Sequence, residues 1–376
     1  MEIESEKSLS KENRTKPKLL YFVESFGGGV FTYIVDLANE LCDDYDIYIG
    51  YAIRSQTPKN YQKYFDKRIH LIRVKNFSRS FNLNKNFKAF LEMKKISKEV
   101  DPDIIHLHSS MAGVLGRWAF NGKKIPLFYT PHGYSFLMKN FSNKKRTIFK
   151  FIETICAKRN CTTISCSAGE NQETLKMTSR AIEIDNGVNA KQLNQLLNSI
   201  DTSSVEHFDV FTLGRITAQK NPTQFNEIAL KMPDLKFLWI GDGELRNMLT
   251  APNITVSGWV DRETALKYSL NSKIFVLTSL WEGLPMSLLE AMYMKKVCIV
   301  SDVIGNHDVI HNDKNGYVCG STDDFIKAIS DAEDLNNTDL VKNAYSEVLN
   351  HYNTDVMSKK YNQAYKNALD FKIKGR

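Results

Sequence analysis

Residues 274–292 read IFVLTSLWEGLPMSLLEAM and carry the clearest structural signal in the chain. The segment begins with four apolar residues, Ile274–Leu277, as buried strands do. A loop containing Trp281 and Gly283 follows, and Pro285 then stands where a helix can open, because the first helical amides have no partner within the helix. A buried strand, a glycine-bearing loop and a helix in this order predict one unit of a parallel α/β sheet.

The same alternation extends along nearly the whole chain. Amphipathic helices are predicted between short apolar runs, among them Val30–Leu41, Phe87–Val100 and Ser287–Met294. The near-continuous apolar character of the runs favours parallel sheets that are covered on both faces. The predicted strands are Leu19–Glu24, Ile47–Ala52, Ile69–Val74, Ile104–His108, Leu127–Thr130, Thr163–Cys166, Ile182–Ile184, Val210–Leu213, Phe237–Ile240, Ile254–Val256, Ile274–Leu277, Val297–Val300 and Gly316–Val318.

A polar segment without periodicity, Asn198–His207, separates two halves that each begin with a strand, a glycine-bearing turn and a helix. The prediction is an α/β protein with two Rossmann-like domains, residues 17–198 and 208–352, facing a central cleft. Ligands of such sheets bind beyond the carboxyl ends of the strands, so the two sheets would share one site. We expect residues 353–376 to form a helix that crosses back to the first domain. Residues 1–16 lack the apolar core of a signal peptide and are predicted to be a disordered leader.

The composition excludes several classes of protein. Of the 376 residues, 42% are hydrophobic and 25% are charged, which excludes collagen-like, disordered and disulfide-scaffold proteins. No run approaches 18 apolar residues, and the predicted location is cytoplasmic. Residues 51–150 hold 21 basic and 5 acidic side chains, whereas residues 201–350 hold 13 and 21. The basic first half suggests an anionic partner, with a solvated lysine-rich surface as the alternative.

Metal and dinucleotide sites are not predicted. The spacing of Cys156, Cys161 and Cys166 matches no zinc pattern, so buried free thiols are expected. Asp44–Asp46 and Asp101–Asp103 have a D-x-D pattern, but both precede their strands, at the sheet edge away from the expected ligand crevice. The glycines after the first strand lack the G-x-G-x-x-G spacing of a dinucleotide site.

Four charged residues fit a ligand that has both phosphates and hydroxyls. Glu282 and Glu290 flank the start of a helix whose first amides can bind an anion, and each carboxylate can accept two hydroxyls. The alternative is a charge that favours the helix dipole and an exposed helix glutamate. Arg215 and Lys220 lie in the loop after a strand and can clamp a diphosphate. The alternative for this pair is a solvated loop.

The positions of three histidines in the sequence predict different roles for them. His132 lies beside Gly133 in the loop after a strand, where a functional role is predicted. His106 and His108 alternate at a strand end, so that one can face the cleft and the other the core. A structural role is predicted for His106, and the role of His108 stays open. Gly241–Gly243 fits a strand-to-helix turn and a ligand contact equally well.

The ordered set of motifs resembles the retaining nucleotide-sugar glycosyltransferases of the GT-B fold, the family 4-like group with an E-x7-E signature. Glu282 and Glu290 have that spacing. Within the family, His106–Arg117 and Thr130–Leu137 are most similar to enzymes of bacterial capsule, O-antigen and exopolysaccharide assembly. The remaining motifs are Gly28-Gly29-Val30, Pro102–His108, Thr130–Gly133, Ser165–Ser167, Asn186–Val188, Gly214-Arg215 with Lys220, and Gly241–Gly243.

The resemblance implies a role for each matching position. Arg215 and Lys220 would hold the donor diphosphate, Glu290 would accept from the ribose, and Glu282 would face the donor sugar. His132 would lie near the reacting carbon. The implied catalytic residues are therefore His132, Arg215, Lys220 and Glu282. The implied donor-binding residues are Gly28, Gly29, Arg215, Lys220, Gly258, Trp259, Val260, Glu282, Gly283, Leu284 and Glu290, with Gly258–Val260 beside the base.

Two positions depart from the family pattern. Phe31 follows the first glycine motif where many members carry an acidic or amide residue, which puts the acceptor-side contacts in doubt. Asn221 follows Lys220 where glycine is frequent, and this leaves the cationic pair intact.

The resulting prediction is a metal-independent, retaining hexosyl or N-acetylhexosaminyl transferase without a cofactor. Its substrates would be a nucleotide sugar, with UDP as the expected nucleotide, and a glycan linked to polyprenyl diphosphate in surface polysaccharide biosynthesis. No carboxylate stands out as a covalent nucleophile, which favours front-face displacement. The alternatives are a sugar-nucleotide epimerase and a non-enzymatic nucleic-acid-binding protein that uses the basic half; a nucleic-acid partner is not part of the main prediction.

A membrane partner is the last expectation. Lys139–Asn160 contains seven basic residues and one acidic residue, with apolar side chains interleaved, as in helices that lie on anionic bilayers. Phe77–Lys98 is a second basic, aromatic segment. Both would place the protein peripherally on the inner face of the cell membrane. The alternative is a pair of ordinary domain helices with lysine-rich outer faces.

Overall fold

The computed structural model describes residues 15–77, 82–203, 205–334 and 338–374. Within these ranges thirteen strands form two sheets. Residues 1–14 of the expected leader, and residues 78–81 of the second basic segment, lie outside the described residues. The strands are β1 (Lys18–Phe26), β2 (Asp46–Ile53), β3 (His70–Arg73), β4 (Ile104–His108), β5 (Leu127–Thr130), β6 (Thr162–Ser165), β7 (Ala181–Glu183), β8 (Phe208–Leu213), β9 (Phe237–Ile240), β10 (Ile254–Val256), β11 (Ser272–Leu277), β12 (Val297–Ser301) and β13 (Tyr317–Cys319).

Both sheets are parallel and share one topology. The first sheet has the strand order β3-β2-β1-β4-β5-β6-β7 and the second has the order β10-β9-β8-β11-β12-β13. In each sheet the order therefore reverses once, between β1 and β4 and between β8 and β11. Such a reversal opens a crevice at the carboxyl ends of the strands. The predicted fold class, two parallel-sheet α/β domains, is confirmed.

Helices cover both faces of each sheet, because the strand interiors are apolar on both sides. No helix in the described ranges has the length and apolar character needed to cross a membrane. The helices are α1 (Gly28–Leu41), α2 (Leu83–Val100), α3 (Ser110–Ala119), α4 (Asn143–Ala157), α5 (Ala168–Leu175), α6 (Ala190–Ser199), α7 (Pro222–Lys231), α8 (Arg262–Leu270), α9 (Met286–Tyr293), α10 (Thr322–Asp334), α11 (Thr338–Asn350) and α12 (Thr354–Lys374).

The chain crosses from the second domain back to the first just before α12. Val188 and Asn353 form an isolated parallel bridge there, and a Cβ at Gly187 would lie only 2.3 Å from the Asn353 backbone. The crossing therefore requires glycine at this position of the Asn186–Val188 motif. Beyond it, Tyr361 and Tyr365 are fully buried in the first domain's core, so the C-terminal helix packs where the sequence predicted.

The six cysteines are buried and free, as expected for the three that the sequence singled out. The helix predicted over Ser287–Met294 lies one residue earlier in the structure, at Met286–Tyr293. Pro285 precedes α9 as its N-cap, with φ −77° and ψ 122°, and the helix itself begins at Met286. A proline fits both positions, since neither needs its missing N–H.

Candidate active site

Loops from both domains meet at the carboxyl ends of the strands. A Cβ at Gly29, at the start of α1, would lie 3.9 Å from the Met286 side chain at the start of α9. A Cβ at Gly283 would lie 3.0 Å from the Gly133 amide nitrogen and 3.2 Å from the His132 carbonyl carbon. Three predicted site motifs thus lie together, and Gly283 permits the close approach of the two domains.

Lys220 and Glu282 form a largely buried ion pair at this meeting point. Lys220 Nζ lies 2.8 Å from Glu282 Oε1, which also accepts from Ser279 Oγ at 2.7 Å. Gln219 Nε2 donates to the other carboxylate oxygen at 3.0 Å. The alternative of a solvated loop is therefore wrong for Lys220. Arg215 is half-buried and forms no ion pair or hydrogen bond with the described residues.

Gly214 explains how Lys220 reaches the cleft. Gly214 has φ +150°, and a Cβ there would lie 3.2 Å from Lys220 Cε. A Cβ at Gly241 would lie 2.3 Å from the Gly214 carbonyl oxygen, and one at Gly243 would lie 2.2 Å from the Ile216 oxygen. These contacts favour the turn interpretation of Gly241–Gly243, because the backbones themselves exclude side chains.

Glu290 is 6% exposed, so the alternative of an exposed helix glutamate is wrong. Its Oε1 accepts from Arg262 Nη2 at 2.8 Å. Arg262, to which no sequence motif pointed, is the first residue of α8 and is separated from the Gly258–Val260 loop only by the N-cap residue Asp261. Asp36, on α1, is buried near this pair, and burial raises the pKa of its carboxyl from 3.8 to about 7.

The Gly258–Val260 loop leads into the Glu290 site. Gly258 has φ +71° and pairs with Gly241 in an isolated bridge. Trp259 is 66% exposed, whereas Val260 packs on the core of the second domain. The loop is therefore anchored at Gly258 and at Val260, whereas the indole ring of Trp259 between them faces solvent.

His132 is a half-buried, neutral imidazole. Its backbone has φ +56°, and its ring lies edge-on to Tyr33, with centroids 4.7 Å apart. Burial lowers the pKa of His132 to about 3, so the ring carries no charge at neutral pH. It can accept or donate a hydrogen bond to a sugar hydroxyl, but it is not a cation.

The His108 ring contacts the His132 ring, and the His106 ring lies next to His108, with centroids 4.0 Å apart. His108 Nδ1 lies 3.1 Å from His132 Nε2, and His108 Nε2 is buried without a hydrogen-bond partner in the described chain. His106 bridges Tyr365 Oη of α12 at 2.6 Å and Thr130 Oγ1 at 2.9 Å. His106 therefore joins the C-terminal helix to the strand ends.

Two family models match the chain. The model of "Glycosyl transferases group 1" matches residues 199–347, and that of "Glycosyltransferase Family 4" matches residues 27–192. An Escherichia coli relative is 31% identical over 321 residues, with 77% of this chain and 82% of the relative covered. The chain therefore belongs to the glycosyltransferase family that these two models and this relative represent. The E. coli protein is named UDP-Gal:alpha-D-GlcNAc-diphosphoundecaprenol alpha-1,3-galactosyltransferase.

Other similar proteins agree with this assignment. A Campylobacter jejuni relative is 25% identical, and the match covers 80% of this chain and 84% of the relative. It is named GalNAc-alpha-(1->4)-GalNAc-alpha-(1->3)-diNAcBac-PP-undecaprenol alpha-1,4-N-acetyl-D-galactosaminyltransferase. Sucrose-phosphate synthase from Thermosynechococcus elongatus superimposes with a TM-score of 0.76 at 17% identity, covering 94% and 98% of the two chains. Anabaena HepE, solved with UDP and glucose, has a TM-score of 0.73 at 15% identity, covering 93% and 100%. These two structures share the GT-B fold.

The chain is therefore a glycosyltransferase of the GT-B fold, and its relatives include an E. coli protein named an O-antigen biosynthesis glycosyltransferase, which is 26% identical and covers 64% of this chain. The epimerase and nucleic-acid-binding alternatives are wrong, since the E. coli and C. jejuni relatives, which cover 77% and 80% of this chain, are glycosyltransferases.

Two carboxylates that the sequence analysis missed hold the loops of the glycosyltransferase in place. Glu170, fully buried, accepts from the Gly133 amide at 2.7 Å and from the Cys166 amide at 2.9 Å. Asp308 of the second domain accepts from the Gly169 amide of the first domain at 3.0 Å. Each carboxylate stands next to backbone amides that would otherwise be unpaired, which is how buried carboxylates are usually satisfied.

The two D-x-D motifs of the glycosyltransferase lie at the amino ends of their strands. Asp103 Oδ2 accepts from the Lys18 amide at 2.9 Å, and Asp44 accepts from Asn362 on α12 at 3.0 Å. In the described ranges no group of three or more His, Cys, Asp or Glu side chains is placed to hold a metal ion.

The basic segment Lys139–Asn160 forms α4 and the turn before it. On α4, Phe151 is 65% exposed and Ile148 is also exposed, whereas the remaining apolar positions are partly or fully buried. A groove of about 600 Å³ runs between α4 and the loop that follows His132. Phe136, Leu137, Asn143, Arg146, Thr147, Lys150, Phe151, Thr154 and Glu173 line this groove.

Proposed function

We propose that this glycosyltransferase moves a hexosyl or N-acetylhexosaminyl group from a UDP-sugar to a polyprenyl-diphosphate-linked glycan. The configuration at the anomeric carbon would be retained, with no metal ion or cofactor. The Lys220–Glu282 pair carries the proposal, because it lies at the start of α9, opposite His132 and Gly133. The names of the E. coli and C. jejuni relatives, both acting on undecaprenyl-diphosphate-linked glycans, support the acceptor class.

The donor diphosphate would take the place of Glu282 as the partner of Lys220. Phosphate oxygens would also meet Arg215 and the amides at the start of α9, where the helix dipole favours negative charge. Glu282 would keep its hydrogen bonds from Ser279 and Gln219 and would turn its freed capacity to the sugar hydroxyls. Glu290 would accept from the ribose, and the Gly258–Val260 loop would lie beside the base.

Retention would follow from front-face displacement. The bond between the anomeric carbon and the β-phosphate oxygen breaks, and the acceptor oxygen bonds to the same face of that carbon. The acceptor's proton passes to the departing phosphate oxygen. Since neutral His132 cannot supply charge, Lys220, Arg215 and the helix amides would stabilise the leaving diphosphate, and His132 would orient the sugar.

The acceptor would approach from the α4 side of the first domain. Arg146 and Lys150 in the groove carry positive charge, and Phe151 and Ile148 present apolar surface to the same side. A cationic, partly apolar face of this kind suits an anionic membrane surface that carries the lipid-linked acceptor. We therefore place the enzyme peripherally on the cytoplasmic face of the membrane.

The Lys220→Ala variant tests the proposed site. The removal of one contact to a developing anion typically slows transfer by about 10²–10³-fold, so this loss is expected at unchanged folding. Lys231→Ala is the matched control, since Lys231 pairs with exposed Asp323 on the surface of the same domain. UDP release in the presence of acceptor is the measurement. More than about a tenth of the wild-type rate in Lys220→Ala would overturn the assignment.

Sedimentation with anionic vesicles tests the membrane face. The paired substitution Ile148→Ser and Phe151→Ser should weaken binding, and added salt should weaken it further, because charge contributes. Leu230→Ser removes a comparably exposed apolar side chain from α7 in the second domain and serves as control. No binding of the wild type, or equal binding of all three proteins, would contradict a membrane role for α4.

A further inference from the structure

Arg262 belongs to a charge cluster that also contains Glu290 and Asp36. It begins α8, its side chain is 39% exposed, and its Nη2 holds Glu290 Oε1 at 2.8 Å. The other carboxylate oxygen, Glu290 Oε2, accepts no hydrogen bond from the described residues. Glu290 is thus fixed by one oxygen and retains a free acceptor on the other.

The first domain contributes a second carboxylate to this cluster. The start of α1 meets the start of α9 at Gly29 and Met286. Asp36 lies two turns along α1 and Glu290 one turn along α9. Among charged groups, Arg262 and Glu290 have the largest electrostatic effects on the buried Asp36 carboxyl, ahead of Glu40. The Arg262 guanidinium thus pairs directly with Glu290 and acts on the Asp36 carboxyl of the first domain through its charge.

We propose that Arg262 is the positioning residue of the ribose site and links that site to the first domain. It holds Glu290 through Oε1, so that Oε2 is aimed at the ribose hydroxyls before the nucleotide arrives. Its positive charge also attracts the Asp36 carboxylate of the first domain, so that the ribose site is complete only when the domains approach each other. The inference rests on the proposed function, because it requires Glu290 to accept from the ribose.

A guanidinium suits this position. It is planar, remains charged at all relevant pH values and presents several N–H groups in a fixed fork, so it can contact two carboxylates at once. A carboxylate locked in one rotamer loses less conformational freedom when a ligand binds. An unheld Glu290, by contrast, would have to be ordered by the nucleotide itself.

Binding of UDP and of 2′,3′-dideoxy-UDP, measured by calorimetry, separates positioning from a general structural role. Wild type should prefer UDP by about 10-fold or more, since a hydrogen bond to a charged group is lost in the analogue. In Arg262→Gln the preference should fall to within about 2-fold, mainly through weaker UDP binding. Lys267→Gln, which removes an i,i+4 pair with Glu263 on the same helix, should keep the wild-type preference.

The outcomes distinguish the inference from the function on which it rests. A wild-type protein that binds neither nucleotide would overturn the proposed donor and, with it, the inference. A wild type that prefers UDP, together with an Arg262→Gln variant that keeps this preference, would overturn the inference alone.

Asp36→Asn tests the link to the first domain. This near-isosteric change should lower kcat for transfer about fivefold, while the donor KM stays within about twofold, because the ribose contacts remain and only their coupling to domain approach is weakened. Thermal unfolding checks that the variant is folded. An unchanged kcat would overturn the link, and a parallel loss of nucleotide affinity would assign Asp36 to the binding site instead.

Discussion

Two buried histidines, His106 and His108, and the half-buried His132 should make the protein sensitive to mild acid. Burial lowers the pKa of His106 and His108 well below 6.5 and that of His132 to about 3. The same side chains take up protons near pH 6.5 when the chain is unfolded. Because the unfolded state binds more protons, the free energy of unfolding should fall as the pH drops below about 6.5.

The magnitude follows from the shift. A histidine that stays neutral when folded lowers the free energy of unfolding by about 1.4 kcal/mol between pH 8 and pH 5.5, and three such groups give about 4 kcal/mol. Asp36 acts in the opposite direction, since its pKa of about 7 makes the folded state take up a proton over the same range. This opposing contribution is about 2 kcal/mol, so the three histidines and Asp36 together should lower the free energy of unfolding of the wild type by only about 2 kcal/mol.

Urea unfolding at pH 8 and pH 5.5, followed by circular dichroism, measures this loss. His106→Asn should reduce the loss by about 1.4 kcal/mol, whatever its effect on stability at pH 8. His351→Asn, at an exposed position, should leave the loss unchanged. If His106→Asn has the same pH dependence as the wild type, the reasoning from buried neutral histidines is refuted.

Three further predictions concern carboxylates and glycine. Glu153→Ala leaves Arg117 buried without its 2.6 Å partner and should lower the free energy of unfolding by about 3–5 kcal/mol, against less than about 1 kcal/mol for the exposed Asp323→Ala, both measured in urea. Asp36→Asn should stabilise the fold by up to about 4 kcal/mol at pH 8, because burial penalises the ionised carboxyl. The stabilisation should decrease as the pH falls through 7 toward 4, where the wild-type carboxyl is protonated in the folded state. Equal stabilisation at pH 8 and pH 4 would contradict this. Gly283→Ala places a methyl 3.0 Å from Cys166 Sγ and Gly133 N and should slow transfer strongly, whereas Gly320→Ala, 3.6 Å from Asp324, should not; matched rates would count against the close domain contact.

The strands were predictable because their signal is local. β11, for example, contains the uninterrupted apolar run Ile274–Leu277, and all four of these residues are buried. The order of the loops then follows from the topology of parallel sheets. The glycines at 187 and 283 stand in recognisable motifs, but only the structure gives the reason, which is the close approach of a second chain segment.

The charge partners in the site could not be predicted. Lys220 and Glu282 are 62 positions apart, and Arg262 and Glu290 are 28 apart, so their contacts depend on side-chain directions in the folded cleft. Glu290 was open to interpretation as an exposed residue because helices usually have a solvent face. In α9, however, seven of the eight residues are buried, since the helix packs between the sheet and α11. Position on a helix therefore says little about exposure here.

Acceptor-dependent release of UDP from UDP-hexoses and UDP-N-acetylhexosamines, with product analysis in the presence of a metal chelator, tests the central claim most directly. The acceptor is a monosaccharide linked through diphosphate to a short polyprenyl chain. We expect UDP and one new glycosidic bond, whose proton coupling shows the same anomeric configuration as the donor. An inverted linkage, dependence on added metal, or no transfer from any UDP-sugar would contradict the account.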